Sequence, residues 1–536
     1  MAPRITLFVL IILAAVAYPH AQAAPTKFRI SGKAFNAVTG QALARTEIAI
    51  GKPEQFDTTA QRLLTGDDGA FAFTGLEPGK YLLLGQANGF RKQAYEQHGG
   101  FVTAVVTGPG LNSENLVFRL RPDARIAGTI LDEESEPVPG AAIYLFRTDA
   151  ASGLRRTSLV TQAMSDDRGY YRFAHLEPGW YFLVVSAQPW FSQLARQQDN
   201  EDDHVTATNA GLNLAFPTTF YPGVTDPADA SQIVLNDGED FTADFNLPAV
   251  PAVRLRIHHV NADPEDPRGV SLKQKLFGIL IDPPSQRQST VEDSVEIEGV
   301  PLGKYLLQVQ SYGPTAAARS TVIDLSADSD LTADDGSTVP LICGVVQMEG
   351  GLDLRPQAFV RLWHTGTDDV LDTQVAGNGE FSFTPEFLTP GNYSLFVMNG
   401  ENSIIGTLSA TGAKVDGQTI QITGSRPVKL NITLPKNLST VNGTARRDGQ
   451  PFPGAMIVLV PENPQINLPL FRRDESDSDG TFTLHDVLPG RYRILAIENG
   501  WDLEWANPAL LASRLEHAQP LEIQLTKTYQ TVVNVN

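Results

Sequence analysis

Alternating apolar and polar side chains, interrupted at short intervals by turn residues, run the length of the chain. Phe71 and Phe73 alternate with Ala70, Ala72 and Thr74. That period of two puts both rings on one face of a β-strand. Asp67-Asp68-Gly69 just before them reads as a tight turn in which glycine supplies a positive φ. Pro78-Gly79 just after them reads as a type II corner, with proline presetting the second turn position and glycine taking the third. Tyr81-Leu82-Leu83-Leu84 opens the next strand. The predicted unit is strand, corner, strand.

The unit recurs. Its corner phrase stands at residues 75–81, 175–181, 299–305, 387–393 and 486–492, with corner glycines at 79, 179, 303, 391 and 490. Those steps are each about one small domain long. The alternating strand before the corner returns as Tyr171 and Phe173, Phe381 and Phe383, and Phe482 and Leu484. The third copy, around Val295 and Ile297, lacks the turn glycine and is the most degraded. A tyrosine follows every corner, where a Greek-key sandwich uses one to hydrogen-bond back to the turn backbone; the functional alternative is a ring platform for a ligand. Further strands flank each unit, such as the hairpins at 126–145 and 441–459 and the alternating runs at 116–120 and 430–434. About seven short strands per unit, punctuated by Gly and Pro, indicate an all-β chain of tandem β-sandwiches.

These residues carry a family resemblance. Gly128-Thr129-Ile130, then Pro137-Val138-Pro139-Gly140-Ala141-Ala142-Ile143, then Asp167-Arg168-Gly169-Tyr170-Tyr171-Arg172-Phe173, then Leu176-Glu177-Pro178-Gly179-Trp180-Tyr181 resemble the carboxypeptidase regulatory-like domain. The resemblance implies a seven-stranded, Greek-key, transthyretin-like (prealbumin-like, Ig-like) sandwich, similar in fold to starch-binding-like modules. Carried along the chain, it divides the sequence into sandwiches at 24–122, 123–250, 251–337 (divergent), 338–435 and 436–536. Insertions at 189–227 and 501–517 break the regularity of the second and fifth. The family name refers to a neighbour of a carboxypeptidase and does not imply peptidase activity here. A zinc carboxypeptidase needs a His-x-x-Glu pair with a distant histidine, and no histidine of this chain has glutamate three places on. His258-His259 is an adjacent pair whose side chains point to opposite faces of a strand.

Charge and cysteine content narrow the setting. The formal net charge is -20, from 61 acidic and 41 basic residues. Such a surface repels phosphate backbones, so no nucleic-acid partner is expected. Cys343 is the sole cysteine and lies in an apolar strand-like run, so neither an intramolecular disulfide nor a thiolate metal cluster is available. Residues 1–23 combine a short basic start, an apolar run and small residues at Ala21 and Ala23. They read as a signal peptide, which places the mature chain outside the cytoplasm: secreted, periplasmic or on the outer cell surface. No later apolar run is long enough to span a membrane.

Candidate chemistry is sparse. There is no Gly-x-Ser-x-Gly elbow and no phosphate-binding loop. No catalytic or cofactor-binding residue and no cofactor is expected; paired-carboxylate hydrolysis is left open by spelling alone. Glu475, Asp477, Asp479 and Asp486 have a spacing like that of a calcium loop, but without flanking helices and with the shorter Asp at the last position. The simpler alternative is a solvated acidic hairpin. Ligand-binding candidates are the aromatics on the two insertions: Trp190, Phe220, Tyr221, Trp501 and Trp505. Their alternative is edge packing. Asn507-Pro508 predicts a short helix with Leu510, Leu511 and Leu515 along one side. These features describe a non-enzymatic binding or adhesion protein, for which the fold resemblance implies a glycan or envelope polymer as ligand; a spacer that presents a surface protein is the second reading and an unrecognised hydrolase the third.

Overall fold

The computed structural model describes residues 27–190 and 214–535, apart from residues 264, 285–286, 313–317, 340, 352–353, 355–356, 368, 384–387, 389, 400, 404 and 424–425. The expected leader at 1–23 and residues 191–213 of the first insertion lie outside the described residues.

Five β-sandwiches follow one another, built on one frame. In the first, the lead strand Phe28–Asn36 pairs antiparallel with Ala70–Leu76 and parallel with the closing strand Leu116–Leu120. The facing sheet runs Gln61–Leu64, Glu47–Gly51, Gly79–Gln86. The lead strands Ala124–Asp132, Val253–His258, Ile342–Met348 and Ser439–Arg447 each repeat this antiparallel-plus-parallel pairing. The divergent third copy therefore keeps the frame. Where it lacks the turn glycine, Glu292 takes the left-handed conformation itself, at φ 57°.

The alternating rings fill the cores as their period requires. Phe71, Phe73, Tyr81 and Phe118 are buried together in the first sandwich, as are Tyr171, Phe173 and Tyr181 in the second. Each such side chain contributes about 1.5–3 kcal/mol by leaving water. The lead strand is crossed so closely by the closing strand that side chains are excluded: a Cβ on Gly128 would lie 1.9 Å from the carbonyl oxygen of Ala243.

The corners follow the tyrosine rule. The phenolic hydroxyls of Tyr81, Tyr181, Tyr305 and Tyr492 donate to the carbonyls of Glu77, Glu177, Pro301 and Leu488, at 3.1, 2.7, 2.7 and 3.0 Å. Burial pushes the Tyr492 hydroxyl up to about 12, so it stays a donor. The corner glycines at 79, 179, 303 and 490 sit at φ 147° to 156°, wider than a type II turn needs. Gly75, His175, Gly299 and Asp486 all have positive φ, and the ladder to the lead strand shifts register at each. The first position of the corner phrase is thus a β-bulge.

The sandwiches do not lie in line. The second and third share an apolar joint of Phe146, Val184, Phe220, Leu276 and Ile281. Lys275 of the third pairs with Asp369 of the fourth. The backbone N–H of Gln418 in the fourth donates to Ile466 in the fifth, at 3.1 Å. The fifth sandwich in turn packs on both the second and the first. The Ala506 N–H donates to Gly153 at 2.8 Å, and the Ser478 N–H donates to Ala104 at 3.1 Å. The chain closes on itself.

Candidate functional site

The structure separates the five candidate aromatics. Trp190 is 61% exposed. Phe220, expected on a binding surface, is only 1% exposed and sits in the joint between the second and third sandwiches, edge-on to Phe277 at 5.8 Å. Tyr221 packs edge-on to Phe241 and Phe245, each 6.0 Å away, over the second core. Trp505 packs with the second apolar cluster of the fifth sandwich, and its ring faces Gly153 of the second. The helix Pro508–Leu515, capped by the Asn507 side chain, covers the same cluster through Leu511 and Leu515. Leu510 points outward, a correction to the expected three-leucine stripe. Rings placed on insertions thus serve mainly to join domains, because a sandwich has two outer faces and neighbouring domains cover them.

Trp501 belongs to the most polar of these joints, between the first and fifth sandwiches. Its ring stacks on the His98 imidazole with centroids 3.8 Å apart and planes 2° from parallel. The His98 Nδ1 lies 2.8 Å from the Glu475 carboxylate, which also accepts from the Thr103 hydroxyl at 3.1 Å. Lys80 pairs with Asp477, whose other oxygen accepts from the Ala104 N–H at 2.8 Å. The Val106 N–H donates to the Ser478 hydroxyl at 2.8 Å, and Arg473 lies over the Phe101 ring at 4.2 Å.

Aligning the repeats explains the acidic run. Ser476 occupies the place of Thr65 and Ser165, four residues before the turn glycine. All three hydroxyls tie that turn to the neighbouring strand: Ser476 accepts from the Ala455 N–H and donates to the Phe452 carbonyl. Asp479 accepts from the Thr481 N–H, as Asp68 does from Ala70 and Asn378 from Glu380. Asp486 is the bulge residue. Only Glu475 and Asp477 exceed what the repeat needs, and both are committed to the first sandwich. Among the described residues, no three His, Cys, Asp or Glu side chains converge as a metal site would require.

Burial dominates the electrostatics of this joint. It raises the Asp474 carboxyl to about 6, against the pull of the Thr483 N–H that donates to it at 2.7 Å. It also raises Asp477, with Lys80 pulling the other way. Arg472 and Arg473, desolvated beside them, fall to about 10. Glu475 is 1% exposed, and one of its oxygens has no hydrogen-bond partner. Shifted groups clustered in a cleft point to catalysis. These groups are enclosed within the fifth sandwich and its seam with the first, and burial accounts for their shifts.

Elsewhere the chemistry-bearing groups stay apart. His258 contacts Ser294 and Asp330, whereas His259 contacts Asp293, and their rings are 6.4 Å apart. Cys343 is half-buried on the lead strand of the fourth sandwich. A polar hollow of about 250 Å³ lies between the first and second sandwiches, lined by Gln93, Gln97, His98, Arg119, Arg121 and Asp237 among others. Its two glutamine side chains are bonded to backbone, and Arg121 is paired with Asp237.

Residues 125–212 match the carboxypeptidase regulatory-like domain family. That stretch is similar to a carboxypeptidase regulatory-like domain. Its matched stretch opens on the lead strand and includes the edge strand and corner of the second sandwich, the region whose phrases resemble the family most closely. No curated protein matches the sequence. Among solved structures, the Bacillus anthracis TIE protein is similar over 96% of this chain and 76% of its own, at 10% identity and a TM-score of 0.17. A streptococcal ancillary pilin aligns over 53% of this chain and 99% of its own, at 12% identity and a TM-score of 0.18. The minor pilin GBS52 of Streptococcus agalactiae aligns over 42% and 96%, at 9% identity and a TM-score of 0.20. Superpositions this loose carry no argument about role. Among the described residues no helix is long and apolar enough to cross a membrane.

Proposed function

We propose that this chain is an extracytoplasmic, non-enzymatic interaction scaffold: five sandwiches locked into one body whose outer surfaces meet a surface protein or an envelope polymer. The observation that carries this reading is the fate of the aromatic candidates. Phe220, Tyr221, Trp501 and Trp505 are engaged in cores and joints, so the groups best able to form a ligand cleft instead hold domains together. The acidic surface fits a protein that works outside the cytoplasm and avoids nucleic acid. Small-angle scattering on the mature chain tests the locked body: the scaffold reading expects one compact particle, and an extended five-bead profile overturns it.

Glycan binding is the second reading, and it rests on Trp190, whose exposed ring could stack on a sugar face. A glycan and cell-wall polymer array run with wild type and Trp190→Ala separates the two. Signal lost in the variant supports a glycan platform; no signal with either protein leaves the scaffold.

A further inference from the structure

We infer that the slot of the first sandwich that receives the fifth is exchangeable, and that its second occupant is the fifth sandwich of another copy of this chain. The inference needs only the seam between those two sandwiches and goes beyond the reading above.

The slot is a short stretch of backbone read by one turn. The Ala104 N–H donates to the Asp477 carboxylate at 2.8 Å, and the Ala104 carbonyl accepts from the Ser478 N–H at 3.1 Å. The Val106 N–H donates to the Ser478 hydroxyl at 2.8 Å. Lys80 supplies the cation for Asp477, and the Thr103 hydroxyl donates to Glu475 at 3.1 Å. The slot thus selects glutamate, aspartate and serine at fixed offsets. The three other turns that keep the glycine carry Leu64, Met164 and Gln374 in place of Glu475, and Gly66, Asp166 and Ala376 in place of Asp477. Asp166 is the one match, and it accepts from the Arg168 and Tyr170 N–H groups of its own turn. Of these turns, that of the fifth sandwich alone fits the slot.

The first sandwich is also the one free to move. Among the described residues, its apolar cluster contains no residue of a neighbour. By contrast, Phe146 and Phe220 of the second sandwich pack with Leu276 of the third, and Ala318 of the third lies in the core of the fourth. The first sandwich reaches the second through the linker 121–123 and through Arg91, which pairs with Glu177 at 3.0 Å and Asp237 at 3.4 Å. Its seam with the fifth is polar and incompletely paired: Glu475 Oε2 and Arg473 Nε and Nη2 are buried with no hydrogen-bond partner. Water satisfies such groups on opening, so this seam separates at lower cost than an apolar joint.

Released from its own fifth sandwich, the first can swing about the linker and dock on the fifth sandwich of a second copy, while that copy does the reverse. The exchange rebuilds both seams contact for contact and forfeits only the tether. A tether supplies an effective concentration of about 1 mM. The wild type therefore closes on itself, and its own fifth sandwich keeps a second copy out.

The test blocks self-closure by charge, on the full mature chain, and reads mass and amide exchange. Lys80→Glu and Asp477→Lys each set like charges across the seam. Each variant alone is expected to be a monomer with an unchanged circular dichroism spectrum and fast exchange at Ala104 and Val106. Mixed, they are expected to form a species of twice the monomer mass by light scattering, because one seam is then native and the other pairs Glu with Lys in reverse. With only the Asp477→Lys chain isotope-labelled, mass spectrometry should show its Ala104 and Val106 exchanging about tenfold more slowly in the mixture than alone. Three outcomes overturn the proposal. The first is a mixture that stays monomeric, which leaves the slot to the chain's own turn. The second is a mixed dimer whose two amides stay open, which places the contact elsewhere. The third is a single variant as protected at both amides as wild type, which means that the seam does not separate.

Discussion

His98 lies flat against Trp501, ring on ring at 3.8 Å, although the two are some four hundred residues apart in the chain. The contact ties the first sandwich to the fifth and explains why an insertion tryptophan turns away from solvent. Stacked rings contribute about 1 kcal/mol beyond their buried area. Trp501→Ala and His98→Ala should each weaken the closure, and the double variant should lose less than the sum. Amide exchange at Ala104 and Val106, whose N–H groups donate across the seam, reads the effect directly. Exchange should speed up about fivefold for each kcal/mol lost. Unchanged protection at both amides would show that the stack does not hold the seam.

Lys80 and Asp477 form the ionic part of the same seam. The Asp477 side chain is nearly buried, so removing Lys80 leaves a carboxylate without its cation. Breaking one side of a buried pair costs about 3–5 kcal/mol, and the partial exposure of Lys80 reduces that to about 1–3. Lys80→Met should therefore open the seam more than Asp477→Asn, which removes the charge yet still accepts from Ala104. Scattering-derived dimensions of the two variants should rank in that order.

Asp474 makes a pH prediction whose sign is fixed by burial. Its carboxyl is raised from an ordinary 3.8 to about 6, so the folded state holds the proton more tightly than the unfolded chain. Its stabilising contribution is complete below about pH 4 and is lost as pH rises through about 6. Asp474→Asn cannot ionise and can still accept from the Thr483 N–H. Relative to wild type, the variant should gain up to about 3 kcal/mol between pH 4 and pH 7. Thermal melts of both proteins across that range check it; a constant difference would refute the assignment.

The corner tyrosines offer a cleaner measurement, because their role repeats. Tyr181→Phe removes one hydrogen bond to the Glu177 carbonyl and little else. The loss should be about 1 kcal/mol in the second sandwich, visible as local exchange at the corner. Tyr492→Phe should cost a similar amount in the fifth.

The scaffold was legible in the sequence because it is built from local rules stated several times. Phe71 and Phe73 declare a strand by their period, and Tyr81 and its counterparts declare a corner by their offset. The joints were not legible, because each depends on residues far apart in the chain that only docking brings together. Phe220 and Trp190 look alike in sequence, yet one is enclosed and the other exposed. A signal did exist for the seam. Subtracting the repeat from the acidic run removes Ser476, Asp479 and Asp486 and leaves Glu475 and Asp477, the two that reach the first sandwich.

Phe277 tests whether the domains are locked by apolar packing as well as by charge. Its ring lies 5.1 Å from Phe146, 4.8 Å from Phe182 and 5.8 Å from Phe220, so one side chain of the third sandwich engages three aromatics of the second. It belongs to neither sandwich's main core. Phe277→Ala should thus loosen the joint by about 3 kcal/mol while leaving both cores intact. Limited proteolysis should then cut near residue 250, between the two sandwiches, faster than in wild type. The same variant should leave the Tyr181 and Tyr305 corners as protected as before. Loss of protection at either corner would mean that the joint and the core fold as one unit.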